Sequence, residues 1–188
     1  MRSTRMIKVI HVIYSLGMGG AERVIVNYAK FLDREKYELI VCALTDGGPY
    51  EEDLKVAGVR YFILKKKIGF DILIVFKLIR LFKREKIKIA HFHDMSSTLW
   101  GTIPAVLSGV KIIIRTVHPI KTDDTDMISK LKSLLLNLLY FFHNQVIAVS
   151  EEVRRSHTSY SKHFRNKFVT IYNGLDKNLF LGDINYRV

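Results

Sequence analysis

Short apolar runs and helix-period stretches alternate along the whole chain. Runs rich in Val and Ile occupy Ile7–Tyr14, Tyr37–Leu44, Val59–Leu64, Ile87–Phe92, Lys111–Val117, Gln145–Val149 and Phe168–Tyr172. They are continuous rather than alternating, the pattern of strands covered on both faces. Between them, apolar residues recur at helical spacing over Ala21–Leu32, Tyr50–Ala57, Phe70–Lys86, Ser97–Leu107, Met127–His143 and Glu151–Tyr160, which predicts helices there. Strand and helix in alternation predict right-handed βαβ units and an α/β fold: a Rossmann-like, doubly wound parallel sheet of about seven strands. Ligands of such sheets bind at the carboxyl ends of the strands, near the switch in strand order. The residues just after each strand are therefore the ones to read for chemistry.

After the first strand comes a glycine-rich turn, Ser15-Leu16-Gly17-Met18-Gly19-Gly20-Ala21-Glu22, and then a helix. Backbone N–H groups at a helix start point at an anion, and glycines let a phosphate come close. Gly17, Gly19 and Gly20 are thus candidate phosphate contacts. The turn is not the dinucleotide fingerprint, because Glu22 stands where its last glycine belongs. Asp46 lies within a turn sequence rather than at a ribose-binding strand end. A tight turn without ligand is the competing reading.

After the fourth strand comes His91-Phe92-His93-Asp94. Residues two apart in a strand share a face, so the two histidines can point the same way. A metal pair is conceivable, but no third ligand is evident. The expectation is that one histidine packs while the other, with Asp94, lines the strand-end crevice. After the fifth strand comes Arg115-Thr116-Val117-His118-Pro119, where Pro119 disfavours helix at His118. A histidine there can exchange protons or bind a hydroxyl, or serve only as a structural loop residue. Ser150-Glu151-Glu152 reads as a helix cap, and Asn173-Gly174-Leu175-Asp176 as a turn.

Gly19-Gly20-Ala21-Glu22-Arg23, His91-Phe92-His93-Asp94, Thr116-Val117-His118, Ala148-Val149-Ser150-Glu151 and Ile171-Tyr172-Asn173-Gly174-Leu175-Asp176 occur in the order and spacing of one family. Across nearly its whole length the chain resembles the amino-terminal domain of family 4 (group 1) glycosyltransferases. The resemblance implies one half of a GT-B enzyme: two Rossmann-like domains around a cleft. It implies retaining sugar transfer from a nucleotide-sugar, with no metal and no other cofactor. By resemblance, Gly19 and Gly20 approach the donor phosphates and His118 is the active-site histidine. His93 with Asp94 flanks the acceptor, and Arg115 joins them as a candidate acceptor contact. In the family the Asn-Gly-Leu-Asp turn leads into a donor domain with a basic pair and a Glu-x7-Glu signature. Here the chain ends at Val188. The expectation is a domain over 1–175, the start of an interdomain linker over 176–188, and no donor domain. Such a chain is a truncated product, one subunit of a split enzyme, or a piece of a longer enzyme. A donor-domain subunit is then a possible partner, and the isolated chain is expected to be inactive.

Composition adds a charge argument. The chain has 188 residues, 48% of them hydrophobic, enough for one domain with a sizeable core. Its single cysteine, Cys42, excludes a disulfide framework within one chain and fits a reducing compartment. The net charge is +12, which favours an anionic partner. From Arg60 to Ala90 ten Lys and Arg face two acids, a net of +8. Lys77, Arg80 and Arg84 share a helix face by spacing, and Lys65-Lys66-Lys67 precedes them. A basic stretch with bulky apolar neighbours suits an anionic bilayer surface. These six are candidate membrane contacts, and a solvated helix face is the plain alternative. Nucleic acid is not expected, since aromatics are not interleaved with the cations and no standard motif appears. No apolar stretch is long enough to span a bilayer, and the basic start followed by apolar residues lacks a small-residue cleavage site. A cytoplasmic protein, peripheral on the inner membrane face and acting on a glycan or lipid-linked acceptor, is the resulting expectation. Its rival is a non-catalytic module that binds a phosphorylated glycan or lipid, or docks a catalytic subunit.

Overall fold

All seven expected strands form, and all pair in parallel. The computed structural model describes residues 6–119 and 127–174, apart from the side chains of 127–130, 132 and 133. Leu175, Asp176 and the expected linker lie outside the described residues. The strands are β1 (Ile7–Ile13), β2 (Tyr37–Ala43), β3 (Arg60–Ile63), β4 (Ile89–Phe92), β5 (Ile112–Val117), β6 (Gln145–Ala148) and β7 (Phe168–Thr170). The helices are α1 (Gly20–Phe31), α2 (Tyr50–Val56), α3 (Ile72–Glu85), α4 (Met95–Leu107), α5 (Met127–Leu139) and α6 (Glu151–Tyr160). The expected helix over Met127–His143 ends earlier, passing into a 3-10 turn at Tyr140–Phe142. A second 3-10 turn, Lys162–Lys167, leads into β7 and has no apolar period to announce it.

The strand order is β3-β2-β1-β4-β5-β6-β7. The chain starts beside the middle of the sheet, works outward to β3, returns to the other side of β1 and works outward to β7. The switch falls between β1 and β4, whose residues pair from Val9–Ile89 to Val12–Phe92. The crevice of a doubly wound sheet opens where two neighbouring connections leave in opposite directions. Here these are the loops after β1 and β4, two of the segments that carry the candidate chemistry.

Each sheet face has its own cover. Ile10, Val12, Ile40 and Cys42 pack under Ile74, Leu78 and Phe82 of α3 and Ala105 of α4. Ile13, Val41 and Ala43 pack on the other face under Ile25 and Ala29 of α1 and Leu54 of α2. Val117, Val146 and Ala148 pack with Tyr140, Val153 of α6 and Phe168. On the α1 face the cover stops short of β5–β7, where Ile112 and Ile171 are exposed. A groove of about 410 Å³ runs there, lined by Tyr28, Phe31, Thr116, Ile147, Ile171 and Tyr172.

Candidate active site

Backbone contacts build the wall at the end of β1. Thr45 after β2 donates to the Tyr14 carbonyl from its backbone N–H, 2.9 Å, and from its hydroxyl, 2.8 Å. Leu16 donates to the Asp46 carbonyl, 3.2 Å. The two loops lie so close that a Cβ on Gly48 would stand 2.2 Å from the Leu16 carbonyl oxygen. Backbone cannot yield as a flexible side chain can, so this position requires glycine. Reading the sequence missed Gly48, because Gly47-Gly48-Pro49 looks like an ordinary turn. The Asp46 turn is as expected, and its part is to brace the glycine loop.

The glycine loop enters α1 with Gly19 as its extended cap, and no side chain caps the helix. Its first N–H groups lack the side-chain acceptor that Asp94 supplies to α4. A Cβ on Gly20 would meet no heavy atom within 4 Å, so the space before it is open. An uncapped helix start facing open space suits an anion. On Gly19 a Cβ would strike only the Glu22 carboxylate, which can swing away.

Asp94 ties the two sides of the switch together. Its carboxylate accepts from the Tyr14 N–H across the crevice, 2.7 Å, and from the Ser97 N–H, 2.8 Å. The Ser97 hydroxyl in turn accepts from the Asp94 N–H at 3.2 Å, a reciprocal cap that starts α4. Burial raises the Asp94 carboxyl above the usual range, opposed by these hydrogen bonds.

The histidines after β4 depart from expectation. Neither lines the crevice: His91 is 4% exposed and His93 0%. Both turn under α1 because His91 sits in register with His11 of β1, and odd positions there face that helix. The three rings cluster, with centroid separations of 4.2–4.8 Å. His93 Nε2 and His11 Nδ1 are hydrogen-bonded at 2.8 Å, and His91 Nε2 meets the Thr116 hydroxyl at 2.7 Å. Burial holds His91 down to about 3 and pushes His11 and His93 well below their usual range, so all three are neutral. Among the described residues this is the one group of three side chains placed to hold a metal ion, with ligand atoms within 4.8 Å of one another. The third ligand that sequence reading lacked is His11, read there only as part of a strand. Two hydrogen bonds already occupy His91 Nε2, His93 Nε2 and His11 Nδ1, so the cluster also reads as a packed core. His93 Nδ1 alone is left without a partner.

His118 sits at the mouth of this cluster. Its ring is hydrogen-bonded to the His93 backbone, and its Nε2 has no partner. The His118 carbonyl accepts from His157 of α6, 3.1 Å, which anchors the segment that Pro119 keeps extended. Burial lowers the His118 ring below its usual range, while Asp94 pulls it back up. A half-buried neutral imidazole with a free nitrogen can accept or donate one proton. Arg115 reaches Asp94 and His118 by its charge rather than by a hydrogen bond. Alternation along β5 turns it to the opposite face, 5% exposed, with Nη1 on the Tyr140 hydroxyl at 3.0 Å. Sequence reading also missed Asn27, whose side chain donates to the Gly174 carbonyl and fastens the segment after β7 to α1.

Three of the six candidate membrane cations reach partners within the chain. Lys66 donates to the Lys67 and Gly69 carbonyls and lies 4.8 Å from the Trp100 ring centroid. Lys77 donates to the Leu64 carbonyl, 2.7 Å. Arg84 meets Glu85, 3.2 Å, over the Phe62 ring. Lys65, Lys67 and Arg80 are exposed.

A seven-strand, all-parallel sheet of this order is the architecture of one half of a GT-B glycosyltransferase. The family model described as Glycosyltransferase Family 4 matches residues 18–179, and the chain belongs to that family. It is 30% identical over 179 residues to the capsular polysaccharide biosynthesis glycosyltransferase CapH of Staphylococcus aureus, covering 91% of this chain and 48% of CapH. It is 29% identical over 131 residues to the UDP-Gal:alpha-D-GlcNAc-diphosphoundecaprenol alpha-1,3-galactosyltransferase of Escherichia coli, covering 66% of this chain and 33% of that enzyme. The crystal structure of Anabaena HepE in complex with UDP superposes with a TM-score of 0.75 at 18% identity, over 93% of this chain and 46% of HepE. The chain thus spans about half, or less, of the proteins it matches.

Proposed function

We propose that this chain is the acceptor-binding half of a retaining, nucleotide-sugar-dependent glycosyltransferase of glycan, polysaccharide or glycolipid biosynthesis. It works with a donor-binding half and is inactive alone. The observation that carries this reading is the meeting of three loops at the switch point. The uncapped glycine turn, Asp94 and His118 follow three different strands; the Asp94 carboxylate accepts from the Tyr14 N–H just before that turn, and its charge acts on the His118 ring. In this reading Gly17, Gly19 and Gly20 let the donor phosphates approach the start of α1. His118 presents its free nitrogen to the reacting sugar or the acceptor hydroxyl. Asp94 holds the two loops in register beside the acceptor, with His93 behind it. No metal takes part. The donor half supplies most of the nucleotide contacts and stabilises the leaving diphosphate.

The relatives support the substrate class: one is a capsular polysaccharide enzyme and another is named for UDP-Gal and a diphosphoundecaprenol-linked acceptor. A lipid-linked acceptor places the domain at the inner face of the cytoplasmic membrane, with Lys65, Lys66, Lys67, Lys77, Arg80 and Arg84 toward the anionic headgroups. No helix among the described residues is long and apolar enough to cross a membrane. The test is sugar transfer to a diphosphoundecaprenol-linked acceptor by the chain alone and with a donor-binding half added. Transfer should need both halves, and His118→Ala should lower kcat about 10²-fold. Robust turnover by the chain alone, or near-normal kinetics for His118→Ala, overturns the reading.

A further inference from the structure

Helices α3, α4 and α5 lie side by side. In the same molecule, α2 and α6 expose Glu52, Lys55, Glu152 and Arg155 to water. α4 has no charged residue at all, and every position it exposes is apolar: Met95, Ile103, Val106 and Leu107. On α5 every described exposed position is leucine: Leu131, Leu134, Leu135 and Leu138. Their spacing of three, four and seven makes one stripe, while Leu136 turns inward. Beside α4 the loop before α3 carries Ile68, fully exposed, and Phe70, which meets the Trp100 ring of α4 at 5.4 Å. Soluble monomers rarely show adjoining apolar surfaces on neighbouring helices unless something covers them.

Charge identifies the cover. Lys65, Lys67, Arg80 and Lys83 are exposed on or just before α3. The three helices hold one acid, Glu85, which is 8% exposed and paired with Arg60. The apolar surface of α4 and α5, bordered on its α3 side by these cations, matches the two layers of an anionic bilayer, acyl chains below and phosphates above. A second copy would bring two surfaces of a +12 chain together.

We propose that the outer surface of α4 and α5, with the Ile68–Phe70 loop, enters the headgroup–acyl boundary of an anionic membrane. The basic stretch beside it recruits the domain, and the apolar surface holds it and sets its orientation. The proposal rests on the membrane-facing reading of the acceptor but requires no sugar transfer.

Sedimentation with phosphatidylglycerol–phosphatidylcholine vesicles tests it. The chain should pellet with these vesicles and weaken in 1 M salt, where screening falls to about 3 Å. Leu131→Ser/Leu134→Ser/Leu138→Ser should lose about ten-fold or more in partition with unchanged circular dichroism. A solvent-sensitive dye on Leu134→Cys should shift to the blue with vesicles and be quenched by acyl-brominated lipid. Cys42 is buried and stays unlabelled. Undiminished pelleting of the triple serine variant, or a dye that remains in water, overturns the proposal. So does concentration-dependent dimerisation that the variant abolishes, without vesicle binding, since this surface would then join two copies. A short water-soluble acceptor in the two-half transfer assay keeps the readings apart. Transfer without vesicle binding removes the membrane surface and leaves the function, and binding without transfer does the reverse.

Discussion

Below α1, three histidines lie in the core; on the far side of the sheet, α4 and α5 present leucines to the surface. Both regions reverse the usual placement of polar and apolar groups, but they are not equivalent. The imidazoles are kept neutral by burial, two hydrogen bonds of 2.7–2.8 Å hold them, and one nitrogen, His93 Nδ1, stays unpaired. Most of the cost of burying them is offset inside the chain. Nothing among the described residues offsets the exposure of Leu131, Leu134 and Leu138. The first region is finished by folding. The second is finished only by contact with something else. Stability and surface behaviour should therefore divide between them, each variant affecting one and sparing the other.

The largest expected effect is in the histidine cluster. His93→Ala leaves a cavity and takes the partner from His11, so it should cost about 3 kcal/mol in urea unfolding. Near-wild-type stability for this variant would place the cluster outside the core and undo the contrast.

The strand and helix pattern was legible because a parallel sheet covered on both faces writes continuous Val- and Ile-rich runs. Every expected strand and helix appears, with ends unmoved or moved by one or two residues, or by four where the α5 segment passes into a 3-10 turn. Asp94 and His118 were legible as strand-end residues. The partner of His91 and His93 was not, because His11 is 80 residues away in sequence and becomes a neighbour only through the β1–β4 register. The burial of Arg115 was hidden for a related reason: a strand of alternating faces does not state which face is inside. Gly48 was hidden because its requirement is set by the Leu16 carbonyl of another loop. The exposure of the α5 leucines was not legible either, since periodicity finds an apolar face without saying what covers it.

Gly48→Ala comes next. It forces the β1 and β2 loops apart and should cost about 2 kcal/mol, the usual range for overpacking. The glycine loop should then show faster amide exchange around Leu16 and Gly17. Unchanged stability and exchange would mean that the two loops are not packed as described.

Acid should act through the buried histidines and not through the exposed leucines. Burial holds His91 near 3, against an ordinary value of 6.5, so the folded state refuses protons that the unfolded chain accepts. Stability is therefore whole above about pH 6.5 and declines as the pH falls toward 3. The slope approaches about 1.4 kcal/mol per pH unit for each such histidine. His91→Phe should reduce that slope by about one histidine's share between pH 6 and 4. Equal slopes in the two proteins would show that His91 is not kept neutral.

The smallest effect is expected on the leucine surface. Leu134 is 57% exposed and belongs to a helix anchored inward by Leu136 and Tyr140. Folding removes little of its side chain from water, so Leu134→Ser should change unfolding free energy by less than about 0.5 kcal/mol. The same substitution at Leu136, 6% exposed and turned toward the core, should cost several times more. Urea titration of both variants measures the ratio directly. Comparable losses at 134 and 136 would mean that Leu134 is already covered within the chain, and the two regions would then differ only in polarity. A wide gap instead leaves Leu134 free to be spent on binding, because a residue that contributes nothing to folding can be selected for what it touches.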